Sequence, residues 1–170
     1  MVTTVACPTN RPTLSLGSTS SVTGAVGKLQ QAINARLSFL GASSALTLVV
    51  DGNFGAKTFT AVKYIQCVAF LAIDGIVGPV TWNYICNGET SLPIISRTSP
   101  NPNVQMIKEV QRLLKADGYY AGALDGIFSF QTEAAVKLYQ KDSVLVQDGI
   151  LGSKTWMKLV LRKVSGGSCN

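Results

Sequence analysis

The chain has 170 residues, a 46% hydrophobic fraction and a 14% charged fraction, so it folds, is not collagen-like or disordered, and has an ion-poor surface. It contains no histidine, which excludes most zinc sites and every Ser-His or Cys-His nucleophile pair. The net charge of +6 divides evenly between residues 1–97 and 98–170, with no basic stripe of the kind nucleic acid requires. No run of about 18 apolar residues is present, so membrane insertion is not expected.

Residues 1–20 lack the basic and apolar regions of a secretory signal peptide and read as a non-helical arm. Its run Val2–Val5 has strand-like composition and can add to a neighbouring chain. The next element is a helix over Val22–Leu40, with Val26, Leu29, Ile33 and Leu37 on one stripe and Gly41 at its end. Ala42–Val50 follows, as a loop or a short strand.

From Asp51 the chain begins to repeat itself. Asp51–Thr58 recurs as Asp125–Thr132, Ala61-Val62-Lys63 as Ala135-Val136-Lys137, and Gln66 as Gln140. Asp74–Gly78 returns as Asp148–Gly152 and Thr81-Trp82 as Thr155-Trp156, all at one constant offset and without a gap. The pattern Asp-Gly-x-x-x-x-x-Thr also occurs twice within each copy, from Asp51 and Asp74 in the first and from Asp125 and Asp148 in the second. Four occurrences in register describe one supersecondary unit used repeatedly.

Its physical reading is a turn followed by a helix. Asp bonds the backbone ahead, Gly accepts positive φ, and Phe54, Val77, Phe128 or Leu151 plugs a core from the loop. Gly55, Gly78 and Gly152 are then expected to make the tight turn into the helix, and Pro79 suits a first helical turn. The second copy opens on a helix capped by Asn103, with Ile107, Val110 and Leu114 inward and Gly118 at its end. The stretch from Gln30 to Asp51 is longer than its counterpart from Gln111 to Asp125, so the first copy carries an insertion there.

The expected architecture is all-α, two tandem three-helix domains. Its parts are an arm (1–20), a first domain (21–87), a Pro-containing linker (88–102), a second domain (103–162) and a tail (163–170).

Across residues 20–162 the ordered motifs resemble the bacterial peptidoglycan-binding-like domain. They are Val110-Gln111, Gly118-Tyr119-Tyr120, Asp125–Phe128, Thr132–Val136, Tyr139-Gln140, Asp148–Gly152 and Thr155-Trp156, with Leu29-Gln30, Asp51–Thr58, Ala61–Gln66, Asp74–Gly78 and Thr81-Trp82 in the first copy. The resemblance implies non-catalytic attachment to peptidoglycan, without cofactor or metal, in a cell-wall, periplasmic or extracellular setting. The alternative is a self-assembling surface protein that reuses the fold.

Candidate ligand residues sit on the loops: Tyr119 and Tyr120 after a helix-ending glycine, and Asp125, Phe128 and Gln131 at the loop–helix corner, with Phe130 a weaker candidate beside them. Phe54 and Lys57 hold the same corner in the first copy. Trp82 and Trp156 read as core, and the four aspartates as turn formers rather than acid–base pairs. No catalytic residue is assigned.

The four cysteines form no C-x-x-C pair and fit an oxidising compartment. Cys67 and Cys86, on two helices of one domain, are expected to pair, with two buried thiols as the alternative. Cys7 and Cys169 in the arm and tail can pair within the chain, pair between chains as covalent links of a polymer, or stay free.

Overall fold

A computed structural model describes residues 7–100 and 103–169. Val2–Val5, and with it the proposed strand addition, lies outside the described residues. The architecture is all-α, two tandem three-helix units: α1 (Ala25–Leu40), α2 (Ala56–Val68) and α3 (Pro79–Asn87), then α4 (Val104–Ala116), α5 (Phe130–Asp142) and α6 (Ser153–Ser165).

Helical spacing puts Val26, Leu29, Ile33 and Leu37 of α1 on one buried stripe, and Ile107, Val110 and Leu114 of α4 on another. The Asn103 side chain accepts from the Met106 N–H at 3.0 Å, and Gly41 ends α1 in the left-handed conformation at φ 65°. The insertion is a 3-10 turn (Ser44–Leu46) and an extended stretch. Asn34 pins that stretch by bonding both backbone groups of Leu48 at 2.8 Å.

Phe54, Val77, Phe128 and Leu151 plug the cores from the loops, and both indoles are fully buried. Each indole N–H donates to a proline carbonyl at 2.8 Å, Trp82 to Pro12 and Trp156 to Pro93. Leu14 bridges Val77, and Ile95 bridges Leu151. The stretches Pro12-Thr13-Leu14-Ser15 and Pro93-Ile94-Ile95-Ser96 are therefore the same element, one in each repeat. The segments expected to be an arm and a linker each lay an extended piece across their own repeat.

The glycines expected to make the tight turns do not. Gly55, Gly78 and Gly152 are extended helix caps at φ −86°, −87° and −93°, and Ser129 does the same task with a hydroxyl. Positive φ falls on the preceding Gly52, Gly75, Gly126 and Gly149, because the carboxylate of the preceding aspartate folds the backbone there.

The disulfide expectation is also corrected. Cys67 pairs with Cys169 and Cys86 with Cys7, so neither bond is the Cys67–Cys86 link and no described cysteine is free. The physical reason is tertiary. Cys67 ends α2 where the second repeat and its tail pack, whereas Cys86 on α3 meets the N-terminal segment.

The two repeats share a seam. The Phe70 ring packs on Trp156 at 5.2 Å, and Lys163 of α6 donates to the Cys67 carbonyl at 2.7 Å while lying 4.3 Å from the Phe70 ring. Glu89, in the 3-10 turn after α3, is buried beside Arg36 (3.8 Å) and accepts from the Tyr84 hydroxyl at 3.0 Å.

Candidate functional site

All four Asp-Gly corners are built the same way, around a buried glutamine. In the second half of repeat two, Gln140 donates to the Asp148 carboxylate (2.8 Å), the Ile150 carbonyl (3.0 Å) and the Thr155 hydroxyl (3.1 Å), and accepts from the Gly149 N–H (2.9 Å). Gln30, Gln66 and Gln111 repeat this with Asp51, Asp74 and Asp125. The glutamine hydrogen bond is the first cause holding Asp51 and Asp125 below the usual carboxylate range. These carboxylates hold turns together. The signal that reveals the glutamines is their recurrence in register with the aspartates.

Burial sorts the residues expected to meet ligand. Phe54, Phe128 and Tyr120 are core, because their loops are pinned in a conformation that directs these side chains inward. The Tyr120 hydroxyl is spent on the Ala123 carbonyl at 2.8 Å. Tyr119 is half-buried, packs edge-on against Tyr139 and donates to Asp142 at 2.9 Å, which pushes its phenol up. Gln131 and Lys57 are exposed, and Asp125 presents one carboxylate edge outward.

Beside Gln131 the structure exposes what sequence reasoning gave little weight. Phe130, the first residue of α5, is 71% exposed. The Arg97 guanidinium lies 3.8 Å from its ring centroid, held there by Glu133 at 3.0 Å. Lys137 also bonds Glu133 at 2.7 Å. Those bonds, Lys137 first and Arg97 second, hold the Glu133 carboxyl below its ordinary range. Exposed Ile127 borders this corner. The result is a pre-oriented aromatic face with flanking amide, guanidinium and carboxylate, suited to a ring with hydroxyl or amide substituents. Arg97 was hidden because it belongs to the segment read as linker.

The corresponding corner of repeat one differs. Leu16, Ala56 and Phe59 stand where repeat two has Arg97, Phe130 and Glu133. The Phe59 ring lies against Gly75, leaving no room for a Cβ there. The two copies share a core and not a surface. Among the described residues no group of three or more His, Cys, Asp or Glu side chains gathers to hold a metal, and no helix is long and apolar enough to cross a membrane.

Fold and corner together define a tandem three-helix module whose shared unit is structural and whose exposed chemistry gathers where a loop meets the start of a helix. The family profile described as "Putative peptidoglycan binding domain" matches residues 22–85 and 103–159, more than half of the chain, and the chain belongs to that family. It is similar to the N-acetylmuramoyl-L-alanine amidase CwlM of Mycobacterium tuberculosis, at 34% identity over 68% of this chain and 30% of that protein. It is also similar to the N-acetylmuramoyl-L-alanine amidase CwlL of Bacillus licheniformis, at 32% identity over 80% of this chain and 44% of that protein. A Bacillus cereus spore cortex-lytic enzyme is 40% identical over 31% of this chain and 20% of its own length. The chain spans less than half the length of these curated relatives. No solved structure matches it.

Proposed function

We propose that this chain attaches non-catalytically to peptidoglycan in a cell-wall or extracellular setting, and that repeat two carries the principal contact. The observation that carries this reading is Phe130, a large aromatic left in solvent and fixed by Arg97 at the module's own Asp-Gly corner. An aromatic face of this kind supports packing against the apolar face of a sugar ring, with Gln131 and Asp125 beside it for hydroxyl and amide groups. The net charge of +6 assists encounter with an anionic wall. Repeat one, with Leu16, Ala56 and Lys57 at the same corner, acts mainly as a rigid partner through the seam.

The test is co-sedimentation with purified sacculi. Phe130→Ala and Arg97→Ala are expected to lower the pelleted fraction at least several-fold with the melting temperature unchanged, since both side chains are exposed. Undiminished sedimentation of both variants would remove this corner from the site.

A further inference from the structure

The chain has two non-glycine residues with positive φ among those described, Phe70 at 59° and Val144 at 57°. They occupy the same position in the two repeats, just past the ends of α2 and α5. Both turns close with the same backbone bonds. Leu71 N–H reaches the Gln66 carbonyl at 2.9 Å, and Leu145 N–H reaches the Gln140 carbonyl at 2.8 Å. This is the helix-ending turn in which glycine is the usual left-handed residue.

Phe70 has a reason to stand there, because its buried ring forms the seam with Trp156. Val144 has no such return. A β-branched residue in left-handed backbone is strained, and its side chain is 91% exposed. Val146 beside it is exposed as well.

These two valines edge a groove of about 420 Å³ that also contains Leu145, Asp148, Ile150 and Lys154. A second cavity of about 350 Å³ continues from it past Leu145 and Lys154 to Lys158. Lys154 and Lys158 take part in none of the described salt bridges. The groove therefore has partly apolar walls and one uncommitted cation, Lys154, beside the turn-bound Asp148, and the cavity beyond adds Lys158 together with Glu89, which is already held by Arg36 and Tyr84. It is also connected to the Phe130 corner: a Cβ at Gly149 would meet Glu133 and Lys137, so the second Asp-Gly loop lies directly between the two features.

Resting on the proposed function, we infer that this groove receives the carboxylate-bearing peptide stem of peptidoglycan while the Phe130 corner holds its glycan. The occupant follows from charge and shape. Apolar walls accept short aliphatic side chains, and Lys154, with Lys158 beyond it, pairs with a carboxylate. A second copy of this chain would bring the same lysines against themselves, which disfavours self-pairing across this face.

The experiment measures binding of the full chain, by isothermal titration, to three probes. They are the N-acetylglucosamine–N-acetylmuramic acid disaccharide, the same disaccharide bearing its peptide stem, and that stem with its carboxylates amidated. The stem is expected to tighten binding about tenfold over the bare disaccharide, and amidation to cancel most of that gain. Lys154→Gln should make free and amidated stems bind alike. Val144→Gly should raise the melting temperature, by relieving the left-handed strain, and yet weaken stem binding. A higher melting temperature with stem binding unmoved would make Val144 purely structural and overturn the placement of the stem in this groove. Equal affinity for disaccharide and stem-bearing probe, or equal affinity of Lys154→Gln and the unaltered chain for the free stem, would overturn the inference and leave the glycan reading standing. No binding of any probe or of sacculi would overturn both.

Discussion

Replacing Gln140 should expose how much of this fold depends on four buried amides. The side chain is 1% exposed and makes four hydrogen bonds between 2.8 and 3.1 Å. In Gln140→Ala the Ile150 carbonyl keeps the Thr155 hydroxyl, and Asp148 keeps the Ile150 N–H. The buried Gly149 N–H loses its partner, which costs about 1–3 kcal/mol. The lost bond to a carboxylate adds about 1.5–3 kcal/mol, and the void left by truncation adds to both. A total of about 3–5 kcal/mol is expected, a large share of the stability of a protein this size. With a urea slope of about 2 kcal/mol per molar, the midpoint should fall by about 2 M.

Gln140→Glu separates shape from hydrogen-bond polarity. One glutamate oxygen still accepts from the Gly149 N–H. The other faces two acceptors, Asp148 and Ile150, and needs a proton to bond either. Its pKa in the folded chain is thereby raised above the unfolded value of about 4.3. The stability it supplies is full below that unfolded value and lost as pH rises through the folded one. The deficit of Gln140→Glu against the unaltered protein should therefore shrink from pH 7 toward pH 4, while that of Gln140→Ala stays nearly constant. An alanine cost below about 1 kcal/mol, or a glutamate deficit that does not change with pH, would refute the claim that the amide organises the corner.

Two further perturbations test the seam and the termini. Lys163 is 2% exposed, and burial pushes its ammonium down to about 8. Because the unfolded chain holds that proton up to about pH 10.4, the contribution of Lys163 to stability rises between about pH 8 and 10.4. Relative to Lys163→Met, the unaltered protein should gain up to about 3 kcal/mol between about pH 7.5 and 10 in urea titrations, and a constant difference would place the amine in water. Cys67–Cys169 and Cys7–Cys86 close separations of 102 and 79 residues. Replacing either pair by serine should cost about 2–5 kcal/mol in thermal or urea melts, and peptide mapping of the oxidised protein should recover these two linkages.

The duplication, the six helices and the inward plugs are legible from the order of residues. Those features rest on local rules: helical spacing of Val26, Leu29 and Ile33, Asp-Gly turn chemistry, and strict register between the two copies. They hold wherever the segment lies in space. The sequence also carried Gln30, Gln66, Gln111 and Gln140, but a helical glutamine that follows one apolar or aromatic residue has no local signature of being a buried hub. Its partners lie 8 to 28 residues away.

Which cysteines meet depends on packing between the repeats, because Cys67 at the end of α2 finds its partner Cys169 in the tail beyond α6. Packing likewise turned the arm and linker into matching extended pieces, since Leu14 and Ile95 become equivalent only when Trp82 and Trp156 each reach a proline carbonyl. It also sorted the candidate aromatics by burial. Tyr120, Phe54 and Phe128 are as aromatic as Phe130, and composition cannot tell them apart. Three point from pinned loops into a core, whereas Phe130 begins a helix on its solvent face, where burial has no partner to offer it.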